Sequence, residues 1–118
     1  MIRKYTKEDY IELIGRALEG ALPENSLIIF FGSVLTERFS RTSDIDVAIY
    51  SPGLSDSDFL KLYDALEELP ILREVDIVNL KTVKDPEFLR RVLEEGLFWK
   101  RREELVRDLK ERLESLKR

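Results

Sequence analysis

The chain has 118 residues, with 20 Lys and Arg against 24 Asp and Glu, so its net charge is −4. That balance argues against broad nucleic-acid binding, which relies on a basic surface, so no direct nucleic-acid contact is expected. There is no Cys and no His, which removes disulfides, thiolate chemistry, the commonest general base and the commonest zinc ligand.

Catalysis, if present, must therefore use carboxylates, metals, hydroxyls, Lys or Arg. The length suggests one domain over residues 1–118, and 43% hydrophobic residues suffice for a sizeable core. No apolar run approaches the ~20 residues of a membrane-spanning helix and no signal segment is visible, so the expected location is cytoplasmic, away from membranes.

Thr6-Lys7-Glu8-Asp9 predicts a helix start with Thr6 as cap. Tyr10, Leu13, Ile14, Ala17 and Leu18 follow at helical spacing, and Gly20 and Pro23 end the run. Leu27–Phe31 reads as a short buried strand. Gly32 lets the backbone turn and leaves no side chain between the chain and a bulky anion. Ser33 adds a hydroxyl and a free N–H. A short helix over about Val34–Phe39 is predicted next, which would set these groups at a helix N-terminus, where phosphate is well received.

Asp44–Tyr50 alternates at period two. Strand geometry puts Asp44, Asp46, Ala48 and Tyr50 on one face and Ile45, Val47 and Ile49 on the other. The two carboxylates converge on a volume large enough for a divalent metal, and Mg²⁺ favours such hard oxygen ligands. Ser51-Pro52-Gly53 breaks the strand, and Ser55-Asp56-Ser57-Asp58 caps a helix running to about Leu69. Arg73–Leu80 alternates again and carries Asp76. The intervening helix is long enough for the two strands to run parallel. Side by side, they would make Asp44, Asp46 and Asp76 a triad able to hold two metals. Asp85-Pro86-Glu87 signals another helix start. Gly96 marks a break, and Leu97–Arg118 reads as a second helical stretch, a C-terminal extension. Its stripe of Leu105, Leu109, Leu113 and Leu116 fits either a cover for the sheet or a contact for a helical partner.

Gly32-Ser33, ten intervening residues, Asp44-Ile45-Asp46 and a later Asp76 together resemble the nucleotidyltransferase superfamily typified by DNA polymerase beta. Thr42–Ile49 and Arg91–Trp99 look most like the minimal nucleotidyltransferases, the MNT proteins paired with HEPN-domain proteins in prokaryotes. The resemblance implies an α+β (α/β-like) fold, a small mixed β-sheet flanked by helices. It implies two Mg²⁺ ions on Asp44, Asp46 and Asp76, with ATP as substrate and its triphosphate at Gly32 and Ser33. Ser43 also matches the family pattern. It further implies an antitoxin that moves AMP from ATP onto a tyrosine of a HEPN toxin and forms a complex with it. Many family members carry an Arg three residues past the Ser, then a Gly. Here those positions are Thr36 and Glu37, leaving Arg38 and Arg41 as candidates for phosphate contact. The alternative reading is a non-catalytic antitoxin that neutralises a HEPN ribonuclease by contact.

Overall fold

The structure, a computed structural model, describes residues 5–40 and 42–118. Helix α1 (Lys7–Ala21) begins with a capping box: the Thr6 hydroxyl accepts from Asp9 N, and the Asp9 carboxylate accepts from Thr6 N. Ile14 and Leu18 face the core, and between them Gly15 lies under the Trp99 ring. A Cβ on Gly15 would stand 2.3 Å from the indole, so the close approach accounts for a glycine inside a helix.

Strand β1 (Leu27–Phe31) pairs antiparallel with β2 (Ile45–Tyr50), and β2 pairs parallel with β3 (Val75–Asn79). The parallel pairing matches the expectation from the long crossover. That crossover is two helices, α2 (Asp56–Leu60) and α3 (Leu62–Glu67), rather than one running to Leu69. Both pieces bury one stripe, Phe59, Leu62 and Leu66, so the break at Lys61 costs little packing. Helix α4 (Pro86–Glu95) starts as its sequence predicts, with the Asp85 carboxylate accepting from Glu87 N. Gly96 ends it, and its N–H donates to Val92 O at 3.0 Å.

The next segment corrects the sequence reading. Leu97–Lys100 is a strand, β4, and only Glu103–Leu116 is helical, as α5. The reason is the free edge of β1: Leu97 and Phe98 pair with Phe30 and Ile29, where apolar and aromatic residues suit a pleated surface. The result is a mixed four-stranded sheet in the order β3-β2-β1-β4.

Helices cover both faces of that sheet. Ile28, Phe30, Val47, Ile49 and Ile77 pack with α1, α2 and α3. Leu27, Ile29 and Ala48 pack with α4 and α5. Leu105, Val106, Leu109 and Leu113 are buried in this second layer, so most of the α5 stripe covers its own sheet. Among the described residues no helix is long and apolar enough to cross a membrane.

Candidate active site

Register builds the site. Phe31 lies opposite Asp46 across β1 and β2, and Asp46 lies beside Asp76 across β2 and β3. Alternation puts all three side chains on the same face as Ile29 and Ala48, the face covered by α4 and α5. Ala48 is buried there, whereas Asp46 is half-buried and Asp76 is exposed. The acids thus occupy the uncovered end of an otherwise packed face. Asp44, also exposed, precedes the first residue of β2.

Gly32 has φ of +81°, the one positive φ among the described residues. A Cβ here would lie 2.6 Å from Asp46 Oδ2, so the turn and the carboxylate fit together only because the side chain is missing. The expected helix over Val34–Phe39 does not form. In its place stands a single 3-10 turn, Gly32–Leu35. The Thr36 N–H and hydroxyl both donate to Ser33 O, at 2.9 and 3.0 Å, and close it. The site therefore has no long helix dipole behind Ser33. Its anion-binding capacity rests on the exposed backbone at Gly32 and on half-buried Ser33.

One residue that sequence reasoning passed over holds the following loop. A terminal nitrogen of Arg73 donates to Ser40 O at 2.6 Å and to Ser43 O at 2.7 Å. Its guanidinium lies over the rings of Phe39, at 4.1 Å, and Tyr10, at 4.8 Å. The Ser43 hydroxyl accepts from Ser40 N at 3.0 Å and so serves the turn that delivers Asp44. No spacing rule marks Arg73, because its partners lie about thirty residues earlier in the chain. Arg38 is exposed and Arg41 lies outside the described residues.

Electrostatics single out Asp46. Burial pushes its carboxyl above the usual 3.8, and the nearby charges of Asp76 and then Asp44 push the same way. Among the described residues no three acidic side chains are gathered into one metal-binding group. The donor set nevertheless suits a hard divalent cation: Asp44, Asp46 and Asp76 supply only oxygen, and the repulsion at Asp46 is what a cation would relieve.

Comparison with known proteins gives this geometry a family. Residues 17–105 match the family described as polymerase beta, nucleotidyltransferase, and that span holds Gly32, Ser33, Asp44, Asp46 and Asp76. A curated relative, the tRNA-2-methylthio-N(6)-dimethylallyladenosine synthase of Anoxybacillus flavithermus (strain DSM 21510 / WK1), is 31% identical over 88 residues. That match covers 72% of this chain but 16% of the relative, so the chain spans a small part of the relative's length. Among solved structures, a toxin–antitoxin with AMP-PNP superposes with a TM-score of 0.69 and 22% identity, covering 95% of this chain and 86% of the other. A tri-AMPylated HEPN toxin from Shewanella oneidensis in complex with MNT antitoxin gives a TM-score of 0.62 and 21% identity, covering 94% and 86%. A mutant of the MntA-HpeT toxin-antitoxin gives 0.66 and 20%, covering 95% and 86%. These structural likenesses bear on the fold, whereas the family match covers most of the sequence. The chain belongs to the polymerase beta nucleotidyltransferase family.

Proposed function

We propose that this protein is an antitoxin that transfers AMP from ATP to a tyrosine hydroxyl of a HEPN-domain toxin, as a single domain working in the cytoplasm. The observation that carries the reading is the register that sets Asp46 beside Asp76 and against the Gly32 turn. Family membership supports nucleotidyl transfer. The toxin–antitoxin structures of similar fold, one with AMP-PNP and one with a tri-AMPylated HEPN toxin, support the donor and the acceptor.

In the proposed reaction the tyrosine oxygen attacks the α-phosphorus of ATP. A new P–O bond forms, the bond from the α-phosphorus to the bridging oxygen breaks, and pyrophosphate leaves. The hydroxyl proton passes to the Asp76 carboxylate, which stands exposed at the end of the face. Backbone N–H groups at Gly32 and Ser33, with the Ser33 hydroxyl, hold the triphosphate. Asp44, Asp46 and Asp76 would hold two Mg²⁺ ions, whose charge would offset the negative charge developing in the reaction. Orientation by the Gly32 turn and the Arg73-anchored loop supplies the remaining rate enhancement.

A second reading, neutralisation of the HEPN partner by contact, is favoured by one detail. Thr36 replaces a cation common in the family, and its hydroxyl is engaged within the loop, donating to Ser33 O and accepting from Arg38 N. Purified protein with Mg²⁺-ATP and the partner separates the two. Transfer predicts pyrophosphate release that Asp44→Asn abolishes without lowering the melting temperature. Full activity in a natively folded Asp44→Asn would overturn the metal assignment.

A further inference from the structure

A cleft of about 500 Å³ opens beside the Gly32 turn, between the end of β1 and helix α4. That volume falls within the roughly 300–1,000 Å³ typical of small-molecule sites. Phe31, Phe88 and Val92 form its apolar wall, with Arg91 and Glu95 at the rim. The two rings meet edge to face with centroids 5.4 Å apart, so the Phe88 ring is held in place rather than loose.

Three features identify the occupant. The first is continuity: Gly32 lines the cleft and also abuts Asp46, and Phe31 is the cross-strand partner of Asp46. A ligand with phosphates at Gly32 thus reaches the cleft with the group that the phosphates carry. The second is shape and polarity: aromatic and aliphatic walls suit the faces of a planar heterocycle. The third is the state of the rim. On α4, Arg90 is tied to both Glu87 and Glu94. The Arg91 and Glu95 side chains, one turn apart and both exposed, make no hydrogen bond or ion pair with another side chain among the described residues. Among the described residues Glu95 is the only carboxylate lining the cleft, and it offers an acceptor to an amino group.

We propose that this cleft binds the base of the donor nucleotide against Phe88, with Glu95 accepting a hydrogen bond from an exocyclic amino group of that base. This rests on the nucleotidyltransfer reading and adds a base-binding wall and a selectivity residue to it. Binding preference therefore runs toward bases that carry an amino group and against inosine and uridine.

The test is binding by the full chain of AMP-PNP, inorganic tripolyphosphate and inosine triphosphate, each with Mg²⁺. Phe88→Ala should weaken AMP-PNP about tenfold, the size of one base–aromatic stacking contact, and leave tripolyphosphate unchanged. Phe88→Leu keeps an apolar filler and should weaken AMP-PNP in the same direction, which guards against a folding defect. Glu95→Ala, at an exposed position, should bring the affinity for AMP-PNP down to that for inosine triphosphate. If the native chain binds AMP-PNP and all three variants bind it equally well, the cleft assignment is wrong and the nucleotidyltransfer reading survives. If the variants lose the protein partner instead, the cleft holds an apolar side chain of that partner, and the assignment is again overturned. If the native chain binds neither AMP-PNP nor tripolyphosphate, both readings fail.

Discussion

Gly32 and Asp46 fit so closely that a Cβ on the glycine would stand 2.6 Å from Asp46 Oδ2. With φ at +81°, the position also lies in the region that L side chains avoid. Gly32→Ala should therefore destabilise the fold by about 1–2 kcal/mol from the backbone term alone. It should also displace the Asp46 carboxylate, so nucleotide binding falls by more than the stability change accounts for. Chemical denaturation together with AMP-PNP titration measures both. A Gly32→Ala variant with native stability and native affinity would show that the turn is not the phosphate seat.

Asp46 carries an electrostatic cost that a bound cation would relieve. Burial, Asp76 and Asp44 hold its folded pKa above 3.8. The folded state then binds the proton more readily than the unfolded chain. This contribution is fully present below the unfolded pKa and is lost as pH rises through the folded one. At neutral pH without metal, ionised Asp46 opposes folding. Asp46→Asn should raise the melting temperature of the metal-free protein at pH 7 and flatten its dependence on acid pH. Mg²⁺ should raise the melting temperature of the native chain and have little effect on the variant. Melting curves in EDTA and in Mg²⁺ between pH 4 and 7 check this. A less stable Asp46→Asn at pH 7 in EDTA would mean that Asp46 makes a stabilising contact instead.

Arg73 is a positioning residue. Its two carbonyl contacts, to Ser40 and Ser43, fix the turn from which Asp44 emerges. Arg73→Ala should lower kcat for AMP transfer at least tenfold, because misplacement by about an ångström costs that much or more. Arg73→Lys keeps the charge and donors for the carbonyls but loses the planar guanidinium that stacks on Phe39, so rescue should be partial. Equal kcat in both variants and the native chain would show that the loop holds itself.

Gly15 makes a prediction that runs against helix propensity. Gly15→Ala places a methyl group 2.3 Å from the Trp99 ring and should destabilise by about 1–3 kcal/mol, although Ala is the better helix former. Indole fluorescence should report the displaced ring, whose N–H donates to Glu19 at 3.0 Å. A more stable Gly15→Ala would mean that α1 slides on β4 at no cost.

Much of this was legible in the sequence because it is local. The Thr6 and Asp85 caps, the two alternating strands and the breaks at Gly32 and Gly96 each follow from neighbouring residues. Asp46 beside Asp76 followed from alternation once the crossover implied parallel strands. What escaped was set by distant partners. Leu97–Lys100 is a strand only because β1 has an edge to fill. The loop after Gly32 forms a 3-10 turn because Thr36 bonds back to Ser33, and it is held by an arginine far along the chain. The role of α5 was also undecidable from its stripe, since covering a sheet and meeting a partner require the same periodicity. Burial of Leu109 assigns it to the sheet.

The most direct measurement is the intact mass of the proposed HEPN-domain partner, co-expressed with the native chain and with its Asp44→Ala/Asp46→Ala variant. AMP transfer predicts a gain of one or more AMP masses with the native chain and none with the variant. A partner that stays unmodified, yet co-purifies and is silenced equally by both, would contradict catalysis and leave contact as the means of neutralisation.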